Sequence, residues 1–546
     1  MSQSRLKTTI QLLTSLAVFN ACGPSFYDIE LNCIPGSNTV CSSTSQGGQI
    51  NWLNSRLEPG AEYVIAILSR QSTDDLNALT HELTIDSTQP SAPRPENEQI
   101  AINRVLQNQG TFLYNIESQY TDTISAPRFN FDSSFYIPNP LDYMSRRDDQ
   151  LFPIWVPKTN GERRTGDRHS AQKKFNLPSV FDLMVSDNVY QTDAFSAQMS
   201  VFNSCASTVI PQTISMLGSP LNLDGKSEIN VVVTNFQSGS DRQPLGLFFP
   251  VDRFRTYRGQ ELIDSNYGEV VYLSPQPNAF KACSTAAHEL QHMINFDHKV
   301  LHQIPESERS DLASQERRGL RSEELGLDEA YSHLVELLTD QISTSNGHIY
   351  NFLTNAHRSS FALEIPTGDV TMTSRTRGAN TLLLMYALNR VGGTLNREDP
   401  ITQQFLRTLI SSPDRGIGNI AKYLNTTEDA LIQDFFTQLV RSLYSTSAAQ
   451  DFLPAVITQQ ISPFESRSKG VKFVDRSNSI NDVQYRPPYI HPYQVPIESI
   501  KRIESTTVAA QSMHFYRFKA NGPLPSDSSI RVSTRGRPFS LFIVKP

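Results

Sequence analysis

Apolar positions along this chain change their spacing twice. In the first third they come as short runs bounded by Pro, Gly, Asn and Ser. The run Glu62-Tyr-Val-Ile-Ala-Ile-Leu-Ser69 predicts a strand, with Leu83-Thr-Ile-Asp86 beside it. From about residue 178 the pattern mixes. Val189 to Asn203 has helical spacing, whereas Ile229-Asn-Val-Val-Val-Thr-Asn-Phe236 and Gly268-Glu-Val-Val-Tyr-Leu-Ser274 read as buried strands. Helical spacing then dominates around 279–292, 327–342, 379–391 and 428–443. The last hundred residues return to short strands, such as Ser512 to Phe518 and Phe539 to Val544.

This layout predicts a multidomain α+β protein without internal repeats. The expected divisions are a signal segment at 1–21, a tether at 22–55, a β-rich amino-terminal domain at 56–177, a mixed catalytic domain at 178–448 and a β-rich carboxy-terminal domain at 449–546. The tether expectation comes from residues 23 to about 55, which are rich in Gly, Ser, Thr and Asn with few large apolar groups.

Composition narrows the class of function. The chain has 546 residues, long enough for more than one core, with 38% hydrophobic and 19% charged residues, an ordinary globular balance. A net charge of -7 and the lack of a basic stripe argue against a nucleic-acid partner.

The amino terminus carries Arg5 and Lys7 ahead of a moderately apolar run from Thr8 to Phe19, which is too short and too polar to span a bilayer. It ends in Phe19-Asn20-Ala21-Cys22-Gly23, which resembles a relaxed lipobox of bacterial lipoproteins; Asn20 and Phe19 depart from the usual Leu-Ala-Gly pattern. The resemblance implies cleavage before Cys22, acylation of that residue and a membrane partner through the anchor. An ordinary signal peptide with a chance Cys is the alternative. Gly23 leans the expected location toward the outer membrane or cell surface, with a secreted or periplasmic protein as the other possibility. In an oxidising compartment Cys33 and Cys41 can close a small loop and Cys205 and Cys283 a second bridge. Four cysteines allow three pairings, and buried free thiols remain open for Cys205 and Cys283.

The chemistry concentrates at His288-Glu289-Leu290-Gln291-His292, an H-E-x-x-H pattern. On a helix, residues i and i+4 share a face, so both imidazoles can reach one zinc ion. Glu289 then stands beside the metal and can act as general base toward a water molecule. Pro277-Asn278 gives a plausible helix start, and no breaker follows before His292.

A catalytic zinc needs a third protein ligand, and two candidates compete. Glu329 lies in Leu327-Asp-Glu-Ala-Tyr-Ser-His-Leu-Val-Glu336, whose apolar positions Leu327, Ala330, Tyr331, Leu334 and Leu338 are helical. A Glu from a second helix is how the gluzincin class completes its site. His298 instead extends the motif to the metzincin-like spacing His288-Glu-x-x-His-x-x-Asn-x-x-His298. On a continuous helix it lies about 120° around from His292, so it needs a break at Asn295. Met372 is a weak candidate for the accompanying methionine turn. Otherwise His298 is a polar helix-end residue facing the last carbonyls. Glu324 and Glu336 are further acidic options.

Ala287-His-Glu-Leu-Gln-His-Met-Ile-Asn-Phe296, followed by the 327–336 segment, resembles the hyicolysin family of bacterial zinc metallopeptidases. Phe202 to Gly218, Ser265-Asn-Tyr-Gly-Glu-Val-Val-Tyr272 and Arg377-Gly-Ala-Asn-Thr-Leu-Leu-Leu-Met-Tyr386 extend the likeness over about 180–448. The resemblance implies a zincin-like (gluzincin) domain with Glu329 as ligand and a single catalytic Zn2+. Asp328 stands where the family tends to have Asn, and Tyr331 where it is more often small or Leu.

The expected activity is zinc-dependent endopeptidase cleavage of protein or peptide substrates. The alternative is a catalytically silent surface lipoprotein that binds or adheres and keeps the metal helix for structure. His333, one turn after Glu329, is a candidate for orienting a ligand. Tyr331, His333 and Tyr386 are unranked candidates for the oxyanion donor. Gly268 to Leu273 is a candidate for the edge strand along which an extended peptide lies, with a plain sheet strand as the alternative.

Overall fold

The computed structural model describes residues 29–31, 35, 40–45, 49–53, 61–70, 79–80, 82–85, 151–156, 167–189, 193–236, 245–262, 265–275, 279–339, 348–349, 352, 370–444, 493–494, 507–508, 513–519, 529–534 and 538–545. Cys22, Cys33 and the Pro277-Asn278 pair lie outside these residues. The chain divides into two compact units, Met1–Arg94 with Pro492–Pro546, and Pro95–His491. No helix among the described residues is long and apolar enough to cross a membrane.

The first unit is built from both ends of the chain. Glu62–Ser69 lies near the middle of a five-stranded sheet, antiparallel to Met513–Lys519 on one side and Phe539–Val544 on the other. Its residues Tyr63 to Leu68 are all buried, as the continuous apolar run requires of a strand covered on both faces. Cys41–Ser45 closes one edge by pairing with Phe539–Val544, and Ile29–Leu31 with Gln49–Leu53 enters a four-stranded sheet. The residues expected to be a tether therefore contain strands, and the two β-rich ends share sheets instead of forming separate domains. Cys-Ser-Ser-Thr-Ser has no apolar alternation of its own. Its pairing is supplied by a strand about five hundred positions away, which no local pattern announces.

The second unit centres on a six-stranded mixed sheet. Its strands are β1 (Leu151–Val156), β2 (Asp167–Leu177), β3 (Phe181–Ser186), β4 (Ile229–Val233), β5 (Gly246–Phe248) and β6 (Val270–Leu273), arranged β5-β6-β4-β3-β2-β1. β1 and β2, grouped by sequence with the amino-terminal domain, are outer strands of this sheet. β3, β4 and β6 run parallel, and β5 returns antiparallel to β6. All five residues of β4 are buried, the expected pattern for a parallel strand covered on both faces. Ile154, Met184, Val232, Leu247, Val270 and Tyr272 join in one core cluster.

Helix α1 (Asp193–Leu217) connects β3 to parallel β4 and runs on past Asn203, through Pro211. Helix α2 (Ala279–Lys299) follows β6 and packs against β5, β6 and α1. Helix α3 (Leu325–Leu338) packs on α2, and α4 (Val370–Arg390) packs on α3. Helices α5 (Pro400–Ser411), α6 (Gly416–Tyr423) and α7 (Glu428–Tyr444) follow in the same unit. Gly268 to Leu273 is thus an inner strand. Among the described residues the edge on this side of the sheet is β5, because the chain doubles back before entering α2.

Candidate metal centre

Helix α2 is buried nearly all round from Ala282 to Phe296, so its polar residues need partners inside the protein. Two networks fix it. Near its end, Asp297 accepts two hydrogen bonds from the Arg253 guanidinium, at 2.9 and 2.7 Å, and one from the Leu221 amide at 2.8 Å. Arg253 also donates to Glu269 at 2.7 Å. Lys299, buried, faces Glu323 at 3.1 Å and donates to the Leu409 carbonyl at 2.8 Å. These contacts tie the helix to the sheet side and to the helical side, which sets the angle at which the histidines are presented.

His288 and His292 project from one face of α2, with ring centroids 4.8 Å apart. The Nδ1 of His288 lies 2.7 Å from Glu336 Oε1, and the Nδ1 of His292 lies 2.9 Å from Asp328 Oδ2. Each carboxylate is placed to accept an Nδ1 proton and so aims Nε2, the atom whose proton a metal would displace on binding. Both Nε2 atoms then face one carboxylate: Glu329 Oε2 is 3.2 Å from His288 Nε2, and Glu329 Oε1 is 3.9 Å from His292 Nε2. His288, His292, Glu329 and Glu336 are buried, and Asp328 is partly exposed. Asp328 is itself held by the Asn295 amide, which donates at 2.6 Å.

Glu289, the residue after His288, reaches β5. Its Oε2 accepts the Phe248 amide at 2.7 Å, while Oε1 has no hydrogen-bond partner among the described residues. Burial pushes its pKa up to about 7, against the pull of His288 and His292. The close approach depends on Gly246, where a Cβ would stand 2.8 Å from Glu289 Cγ and 2.4 Å from Thr285 Cγ2.

Burial opposes a charge on His288, but Glu329 and Glu336 outweigh it and raise its pKa to about 10. For Glu329, burial is outweighed by Arg377 and His288, so its carboxyl sits well below the ordinary carboxylate range. A deprotonated Glu329, two oriented imidazoles and an orphaned buried oxygen on Glu289 fit a divalent transition metal with nitrogen and oxygen ligands.

The other sequence candidates fall in different places. His333 does enter the centre: ligating atoms of His288, Glu329 and His333 all lie within 4.8 Å of one another. Its Nδ1 is 3.4 Å from Glu336, and its ring packs against His288 and His348. Tyr331 is two residues from Glu329, about 200° around α3, and is buried on the core side. Tyr386 lies nine residues beyond Arg377 on α4, about 13 Å along the axis. Its hydroxyl donates to Asp434 at 2.5 Å and accepts from Arg390 at 3.0 Å. Tyr331 thus stands about 200° around α3 from Glu329, and Tyr386 about 180° around α4 from Arg377.

His298 is likewise not gathered in. α2 runs unbroken through Asn295 to Lys299, and the Asn295 side chain is spent on Asp328. His298 stacks on His302 at 4.7 Å, near Gly218. Met372 lies within α4 and not in a turn. Glu324 is the residue that caps the start of α3, outside its first turn. Cys205 and Cys283 are joined, which ties α1 to the first turns of α2. Cys41 is also disulfide-bonded.

Sequence reasoning missed Asp328 as the partner of His292, the Phe248 amide and Arg377. Glu336 was considered only as a ligand. The available signal was spacing: Glu329, Ser332, His333 and Glu336 form one helical stripe, so a carboxylate seven residues after Glu329 shares its face.

The chain is similar to neutral metalloprotease ShpI of Staphylococcus hyicus, at 26% identity over 282 residues, covering 46% of this chain and 61% of that protein. The match therefore spans less than two thirds of the relative's length. No family model matches the chain.

Proposed function

We propose that this protein is a zinc-dependent endopeptidase in which His288, His292 and Glu329 hold the metal and Glu289 is the general base. The observation that carries this reading is the convergence of both Nε2 atoms on Glu329 while both Nδ1 atoms are tied to carboxylates. The similarity to a neutral metalloprotease supports the same class of chemistry.

A zinc ion held there would supply Lewis acidity toward a carbonyl oxygen and toward water. The protein's own part is positional. Glu289 Oε1, buried and without a hydrogen-bond partner among the described residues, would take a proton from water and return it to the leaving nitrogen. Its other oxygen stays on the Phe248 amide, which fixes the direction in which Oε1 points. The Leu245 carbonyl accepts from Ser274, so by strand alternation the main-chain groups of Gly246 and Phe248 face away from β6. An extended peptide would lie along that outer edge of β5 and pair at Gly246, since the Phe248 amide is already taken by Glu289. Export and anchoring through an acylated Cys22 complete the reading. Labelling with a radioactive fatty acid, lost in Cys22→Ser, tests that part.

The deciding experiment measures bound zinc and peptide hydrolysis for the wild type and for Glu289→Gln. The wild type should bind about one equivalent and cleave, and Glu289→Gln should keep the zinc but lose cleavage. Hydrolysis that survives Glu289→Gln or a chelator overturns the mechanism. The closeness of His333 to His288 and Glu329 favours one second arrangement, with His333 in place of His292. Zinc loss in His292→Ala but not in His333→Ala supports the first arrangement; the reverse supports the second. His298→Ala should keep its metal.

A further inference from the structure

We propose that Arg377 is a positioning residue that makes Glu329 a one-oxygen ligand and so keeps a coordination position open at the metal; this rests on the metallopeptidase reading above. Glu329 presents two oxygens to the centre, and they are not equivalent. Oε2 faces His288 Nε2 at 3.2 Å, whereas Oε1 is met by Arg377 Nη2 at 3.2 Å and lies farther from its histidine, 3.9 Å from His292 Nε2. Both members of the Arg377–Glu329 pair are buried.

A guanidinium only donates, so it holds Oε1 by a charge-assisted contact. An oxygen engaged in this way competes poorly for a metal. A carboxylate chelating through both oxygens would take a fifth position beside the water, the one a catalytic zinc needs when its coordination expands during the reaction. Arg377 has little room to withdraw. At the adjacent Gly378 a Cβ would stand 2.0 Å from the His348 carbonyl oxygen, so α4 lies flush against that segment.

Charge separates this role from simple scaffolding. The carboxylates of Glu289, Asp328, Glu329 and Glu336 all touch or flank the histidines. A dication and one guanidinium oppose them. Removing the guanidinium makes the centre more negative, so the metal should be held at least as tightly even as activity falls. Loss of a scaffold arginine would instead loosen the metal.

The test loads wild type, Arg377→Met and Arg377→Lys with Co2+. The wild type should show the intense visible bands of a four-coordinate ion. Arg377→Met should show the weaker bands of a five-coordinate ion, with an equal or smaller Co2+ dissociation constant. Its zinc form should lose about 10- to 100-fold in kcat with KM unchanged, and Arg377→Lys should restore most of the wild-type spectrum. An unchanged spectrum in Arg377→Met, or loss of Co2+ from it, overturns the proposal and leaves the metallopeptidase reading standing. X-ray absorption of the zinc-loaded wild type gives a second measurement if Arg377→Met does not fold: a carboxylate bound through both oxygens overturns the proposal, and a single-oxygen carboxylate supports it. A wild type that binds neither Co2+ nor Zn2+ overturns both readings.

Discussion

Replacing Gly246 by alanine adds one methyl group at the point where the sheet edge meets the metal-motif helix. The new Cβ would stand 2.4 Å from Thr285 Cγ2, 2.8 Å from Glu289 Cγ and 2.9 Å from Glu289 Oε1. Carbon atoms rest at about 3.5–4.0 Å, so β5 and α2 must separate by about 1 Å, or Thr285 and Glu289 must both turn aside. Overpacking of this kind costs about 1–3 kcal/mol. The fixed partners of α2 resist the movement, since Asp297 and Lys299 anchor it elsewhere. A 1 Å displacement at the base should lower kcat about 100-fold, more than the loss of folded protein explains. The assay pairs denaturant unfolding with peptide hydrolysis, and repeats both in Gly246→Ala with Thr285→Ala. Removing Thr285 Cγ2 relieves the nearer clash and should restore much of the stability. It leaves the contact with Glu289, so activity should stay low. Wild-type stability and activity in Gly246→Ala would refute the packing argument, as would full recovery of activity in the double variant.

Three further outcomes follow from buried charge. Arg253→Met leaves Asp297 and Glu269 without their cation and should cost about 3–5 kcal/mol in a denaturant titration; a cost under 1 kcal/mol would contradict it. Burial pushes the Asp252 pKa up to about 7, against the Asn266 amide and the Tyr272 hydroxyl, from an ordinary 3.8. Between those values the folded state holds a proton that the unfolded state releases, so its contribution is full below about pH 3.8, falls as pH rises to about 7 and is flat above. Against Asp252→Asn the wild-type stability curve should therefore fall by up to about 4 kcal/mol across that window; a difference that rises with pH would show the sign to be wrong. Finally, Glu336→Ala removes the acceptor of the His288 Nδ1 proton and should weaken zinc binding about 10- to 100-fold, read by competition with a chelating dye. Unchanged affinity would show that His288 needs no orienting partner.

Taken alone, the order of residues determined the strands Glu62–Ser69 and Phe539–Val544 and the helical stretch that presents His288, Glu289 and His292. These follow from local rules: the apolar run, the 3.6-residue period and the i, i+4 spacing act between near neighbours. The same rules placed Glu329 inward and set His298 around the helix from His292. Pairing between distant segments was decided only by the tertiary structure. It joined the two ends of the chain in one unit and moved the free sheet edge from Gly268–Leu273 to Gly246–Phe248. It also brought Asp328, Glu336 and Arg377 onto the histidines and Glu329. The reason is that strand pairing and buried ion contacts draw their free energy from backbone and charged groups far apart in sequence. Any Asp, Glu or Arg can serve once the fold brings it within reach, and no local pattern marks which one will.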